Sequence, residues 1–287
     1  MPPGERMVSV RDGAVKFRVL SAGRGPALLY LHSVHDRDGW PPLLERLAER
    51  HTVYAPCHPG VQGSEGVEQL DDVVDLGLVY DELLDALGLD SALVMGHFFG
   101  AMMAAELAAL CPRRAQKLCL VSPLGLWLDG KPVADVIILP AAQLDGLLWS
   151  DPESEAARSW RTLPQSEEEN VAVQIEQIQR LAAMGKFVWP IPDKGLKRRL
   201  HRVTAPTLIL WGENDRVNPD VYGEEFARRI RGARLRRLAG GHMLHLESMD
   251  VVAAAASEFF SEGASTAPSE ASPRTGLPRR SRRSSGD

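Results

Sequence analysis

Cysteine is scarce in this chain. Only Cys57, Cys111 and Cys119 occur in 287 residues, and no two of them form a C-x-x-C pair. That leaves no disulfide framework to read, and a reducing cytoplasm is the expected setting. Long apolar runs are missing as well. No stretch approaches the ~20 residues needed to cross a bilayer. The start, MPPGERMVSV, has no apolar segment behind a basic patch, so no secretory leader is expected. Positive charge is not in excess: the formal net charge is −5. The last 25 residues hold five arginines against Glu270 and Asp287, so the rest of the chain carries −8. An acidic body of this kind gives no reason to expect nucleic acid as a partner. Residues 263–287 read as a basic, solvated, disordered tail, because GASTAPSEASPRTG has nothing to bury. There is no internal repeat.

What is present is an alternation of short apolar runs and amphipathic stretches. Val8–Val10 and Val15–Leu20 flank Asp12-Gly13, a hairpin signal. Ala27–Leu31, Thr52–Ala55, Leu93–Met95, Lys117–Val121, Thr207–Trp211 and Ala233–Leu238 read as further strands. Between them, Trp40, Leu43, Leu44 and Leu47 fall at helical spacing. So do Val73, Leu76, Tyr80, Leu83 and Leu87, ahead of Gly88. Phe99–Leu110 and about 250–260 are two more helices. A hairpin followed by strand–helix repeats predicts a mostly parallel sheet with helices on both faces. Residues 126–203 break the rhythm with proline and acidic turns and one amphipathic segment, Val171, Ile175, Ile178 and Leu181. They read as an inserted helical lid, which divides the core into 1–125 and 204–262.

Four signatures stand at strand ends in a fixed order. They are His32-Ser33-Val34-His35; Pro56-Cys57-His58-Pro59-Gly60-Val61-Gln62-Gly63-Ser64; Gly96-His97-Phe98-Phe99-Gly100; and Trp211-Gly212-Glu213-Asn214-Asp215 with Gly240-Gly241-His242-Met243 about 27 residues on. On these motifs, from about residue 7 to 262, the chain resembles the α/β-hydrolase superfamily, in its lid-bearing esterase, C–C hydrolase and haloperoxidase-like branch. The resemblance implies an α/β-hydrolase fold. It also implies that Asp215 orients His242 as an acid–base pair, and that Phe98 occupies the strand-to-helix elbow where such proteins place a nucleophilic serine. The amides of Phe99 and of Val34 or Ser33 are the implied oxyanion donors.

Phenylalanine has no lone pair and no acidic proton, so the covalent serine route is not open to it. Two readings follow. In one, a small, mainly apolar organic substrate gives a proton to His242 without a covalent step, and no cofactor is used. In the other, the chain is a non-catalytic relative that holds a ligand or a partner protein. An ordinary ester or C–C bond hydrolase carrying a serine-to-phenylalanine change is the third alternative. His35, Trp149, Trp160, Phe187 and Trp189 are candidate pocket residues, and Cys57 is a weak alternative nucleophile. No metal is expected, because His32, His58, His97 and His242 are ordinary residues of these motifs and no His-x-x-x-His pair lies on a predicted helix. A monomer or homodimer, away from membranes, completes the expectation.

Overall fold

The computed structural model describes residues 2–36 and 40–263. The basic tail expected from 263 onward therefore lies, from residue 264, outside the described residues. An eight-stranded sheet forms in the order β1-β2-β4-β3-β5-β6-β7-β8. Strands β1 (Gly4–Val10) and β2 (Val15–Ala22) make the antiparallel hairpin around Asp12-Gly13. The others run parallel to one another: β3 (Ala27–Leu31), β4 (Thr52–Pro56), β5 (Ala92–His97), β6 (Ala115–Val121), β7 (Thr207–Gly212) and β8 (Arg234–Leu238).

Helices cover both faces, as parallel strands with two apolar sides require. On one face lie α1 (Pro42–Ala48) and, at the end of the chain, a helix over Met249–Ser261, whose Val252, Ala256 and Phe260 pack with Leu43, Leu44 and Leu47. On the other lie α2 (Val73–Leu87) and α3 (Phe99–Leu110). The bounds of α2 follow from local chemistry. Asp72 accepts the amides of Val74 at 2.8 Å and Asp75 at 2.9 Å, and Gly88 ends the helix at φ 75°.

Between the neighbouring strands β6 and β7 the chain makes a helical excursion: α4 (Ala141–Leu148), α5 (Glu155–Arg161), α6 (Glu167–Val188) and α7 (Leu196–Arg199). The face of α6 that is buried differs from the one the sequence suggests. Val171, Ile175 and Ile178 are exposed, and the buried set is Arg180, Ala183, Met184, Phe187 and Val188, one turn later. The excursion is pinned to the core by Arg199, whose guanidinium lies 2.6 Å from the fully buried Glu106 of α3. After β7 come α8 (Val221–Arg229), α9 (Leu244–Glu247) and the closing helix, α10.

Candidate functional site

The carboxyl ends of β3, β5 and β7 converge at the crevice where parallel α/β sheets place their ligands. At the end of β5 the chain turns sharply into α3. Phe98 holds the corner at φ 48°, ψ −107°, a backbone conformation that side chains rarely adopt. The corner is possible because its neighbours lack Cβ atoms. A methyl on Gly100 would meet the Leu31 carbonyl oxygen at 1.9 Å, and one on Gly96 would meet Gly100 at 2.5 Å.

The β7 end supplies Asp215. One of its oxygens accepts the amides of Val217 at 3.0 Å and Asn218 at 2.8 Å. The other lies 2.9 Å from His242 Nδ1. His97, next to Phe98, binds the His242 carbonyl oxygen through Nε2 at 2.9 Å. Glu247 accepts the Gly241 amide and also the Ser150 amide at 2.7 Å, which ties the histidine loop to the helical excursion. His242 Nε2 has no hydrogen-bond partner among the described residues. The Phe98 ring stands edge-on to the His242 imidazole, with centroids 4.6 Å apart, and both side chains are fully buried.

The expected amide donors divide. Phe99 is the first residue of α3, where no intrahelical partner exists for its N–H. Phe99 and Val34 both border a void of about 10 Å³, closed off by Met184 and Phe187, which has room for about one water. Ser33 is a correction. Its N–H is donated to Asp36 Oδ2 at 2.8 Å, so it is already used.

A larger cleft, of about 1100 Å³, opens between the strand ends and the helical excursion. Its wall is mixed, with Trp160, Pro41 and Leu246 beside Asp36, Glu176 and Arg180. His35 lines it, and Phe98 and His242 do not. Burial, and then the neighbouring His242 imidazole, push His35 down to about 3, so it is neutral. Trp160 donates its indole N–H to the His35 carbonyl at 3.0 Å. Trp149 packs behind it, fully buried, with ring centroids 5.8 Å apart. Trp189 is a second correction: it is half exposed, donates to Asp135 at 3.2 Å and lines neither space. Cys57 is buried, and burial pushes its thiol up to about 11, which argues against a thiolate nucleophile.

Asp36 is the residue that sequence reasoning missed. It is buried at the cleft wall and lies 2.7 Å from His245 Nε2. Burial opposes its charge, but His245 and the Ser33 amide outweigh this and hold the carboxyl well below the usual carboxylate range. The available signal was its place three residues after Ser33, the reach at which a carboxylate folds back on a backbone amide. Asp36, His97 and His245 come from three separate segments, so no short spacing along the chain announces their meeting.

Residues 28–255 match the alpha/beta hydrolase family, and the chain belongs to it. It is 24% identical over 281 residues to a 2-hydroxy-6-oxo-6-phenylhexa-2,4-dienoate hydrolase of Burkholderia cepacia, covering 90% of this chain and 96% of that protein. It is 26% identical over 273 residues to the polyketide synthase ThaQ of Burkholderia thailandensis, covering 87% of this chain but spanning only 12% of that protein. Among solved structures, a 2-hydroxy-6-oxo-6-phenylhexa-2,4-dienoate hydrolase from Rhodococcus sp. strain RHA1 superposes with a TM-score of 0.68 at 22% identity, over 90% of this chain and 99% of that one. A thermophilic esterase from Thermogutta terrifontis gives 0.70 at 20% identity, over 91% and 99%. At these identities the superpositions establish the fold.

Proposed function

We propose that this family member binds a small organic ligand in the cleft between the strand ends and the helical excursion, which acts as a lid, and does not hydrolyse it through a serine. The observation that carries this reading is the packing of Phe98. Its ring occupies the elbow, packs edge-on against the His242 imidazole and is fully buried with it, and the cleft wall is His35, Asp36 and Trp160 instead. The family resemblance implies a nucleophile at the elbow, and phenylalanine supplies none.

A second reading has its own support. The 2.9 Å bond to Asp215 and the unpartnered Nε2 are what a general base requires. In that case a substrate C–H or O–H proton passes to Nε2. The electron pair stays on the substrate as an oxyanion facing the Phe99 and Val34 amides.

Labelling and turnover separate the readings. The native chain is expected to leave a fluorophosphonate probe unreacted and to hydrolyse short aryl esters no faster than protein surfaces do. Phe98→Ser should label and gain at least about 100-fold over Phe98→Ala, and His242→Ala in that background should abolish the gain. Labelling of the native chain at Ser33 would overturn the proposal. Native, His242-dependent deuterium exchange into an activated C–H compound would replace it with the proton-transfer reading.

A further inference from the structure

Four histidines, His35, His97, His242 and His245, sit in one buried layer, and each keeps at least one ring nitrogen without a hydrogen-bond partner among the described residues. Two of them converge with a carboxylate. One ligating atom each from Asp36, His97 and His245 lies within 4.8 Å of the other two. We propose that these three residues form a site for one divalent transition-metal ion of the zinc class, entered from the cleft that Asp36 lines.

The orientations of His97 and Asp36 fit this role. His97 gives its Nε2–H to the His242 carbonyl at 2.9 Å, so its lone pair lies on Nδ1, the atom that has no partner. Fixing a ligand imidazole through its other nitrogen is how protein metal sites set the tautomer and the ring angle. Asp36 is steadied in the same way. Its Oδ2 accepts from the Ser33 amide at 2.8 Å and from the Tyr30 hydroxyl at 3.3 Å, which leaves Oδ1 toward His245. The His97 and His245 rings are neighbours, tilted by 36° with centroids 4.0 Å apart.

The donor set selects the ion. Two imidazoles and one carboxylate suit zinc, iron(II), cobalt(II) and nickel(II), whereas calcium and magnesium prefer all-oxygen shells. Metal–ligand bonds of about 2.0–2.2 Å put tetrahedral donors about 3.4 Å apart, so binding parts the Asp36–His245 pair, now at 2.7 Å, by less than about 1 Å, while the three donor atoms already lie within 4.8 Å of one another. The ion takes the position of the Nε2 proton that His245 shares with Asp36, and that proton passes to solvent or to His245 Nδ1. Three protein ligands leave a position open, and one carboxylate against a divalent ion leaves a net positive charge. An anionic oxygen donor entering from the cleft completes both. This site depends on neither reading of the Asp215–His242 pair.

The test uses the tag-free full chain, stripped with a chelator and dialysed against Zn²⁺ or Co²⁺. About one equivalent per chain is expected by elemental analysis, with visible cobalt absorption bands, and excess Mg²⁺ should not displace it. Asp36→Asn keeps an acceptor for the Ser33 amide and should weaken binding at least about tenfold, as should His245→Gln. His201→Ala, at an exposed histidine, should leave it unchanged. Less than a tenth of an equivalent bound to the folded native chain overturns the proposal. Binding that survives both ligand substitutions overturns it equally.

Discussion

Two groups of buried histidines share the layer above the strand ends, and they differ in how their nitrogens are used. His32 and His58 spend all four. His32 Nδ1 pairs with the Ser33 carbonyl at 2.9 Å, and its Nε2 accepts the His58 amide at 3.0 Å. His58 reaches the His32 carbonyl at 2.8 Å and the Tyr80 hydroxyl. This pair is a clamp between the β3 and β4 ends. His35, His97, His242 and His245 are equally buried, yet each has a nitrogen to spare. Burial and residue type are the same in both groups, so neither marks a chemically competent histidine. The unspent nitrogen and what faces it make the distinction. The Phe98 ring packs edge-on against His242, whereas His97 and His245 lie beside each other and close to Asp36.

The largest effect that can sharpen this contrast is on stability at position 98. Phe98→Ala uncovers the His242 side of the layer and is expected to cost about 3–5 kcal/mol in denaturant unfolding. Glycine leaves as large a cavity but relieves the positive φ, so Phe98→Gly should stand about 1 kcal/mol above Phe98→Ala, the reverse of the usual order. Equal stabilities, or glycine below alanine, would mean that the corner is not strained.

The clamp predicts a smaller, pH-dependent effect. Burial, and then His32, hold the pKa of His58 well below 6.5. The unfolded chain takes up a proton near pH 6.5 that the folded chain refuses. The stabilisation from neutral His58 is thus complete above about pH 6.5 and is lost as pH falls toward the folded pKa, by up to about 1.4 kcal/mol per unit. His58→Gln should flatten the stability profile below pH 6.5 by that slope. An unchanged slope would show that His58 titrates normally.

The smallest expected effect lies on α6. Ile178→Asp, on the exposed stripe, should shift stability by no more than about 0.5 kcal/mol, whereas Met184→Ala on the buried face should cost about 2–5 kcal/mol. A large loss at Ile178 would mean that the stripe is covered in solution.

Much of the core could be read from the chain, because each strand is a short apolar run and each helix end carries its own chemistry, as at Asp72, Gly88 and Phe99. The helices of 126–203 were less legible. α6 bears two apolar stripes, and the stronger one in sequence, Val171-Ile175-Ile178, is the one left outside. Periodicity reports that a face exists and not which face finds a partner. At the site, Asp215 and His242 were readable from motif order. Asp36 was not, since its meaning depends on His245, 209 residues away. Ser33 was misassigned as an open donor for the same reason: its N–H is spent on that unseen carboxylate.

Glu247 carries a last consequence. It holds the Gly241 amide of the core with one oxygen, and the Ser150 amide and hydroxyl of the helical excursion with the other. The excursion leaves and rejoins the sheet at adjacent strands, which by connectivity alone would make it an interchangeable cassette. The rivet at Ser150 restricts that interchange. A segment transplanted from a relative would have to bring its own pair of donors to this one carboxylate, or the turn that presents His242 would lose its outer support.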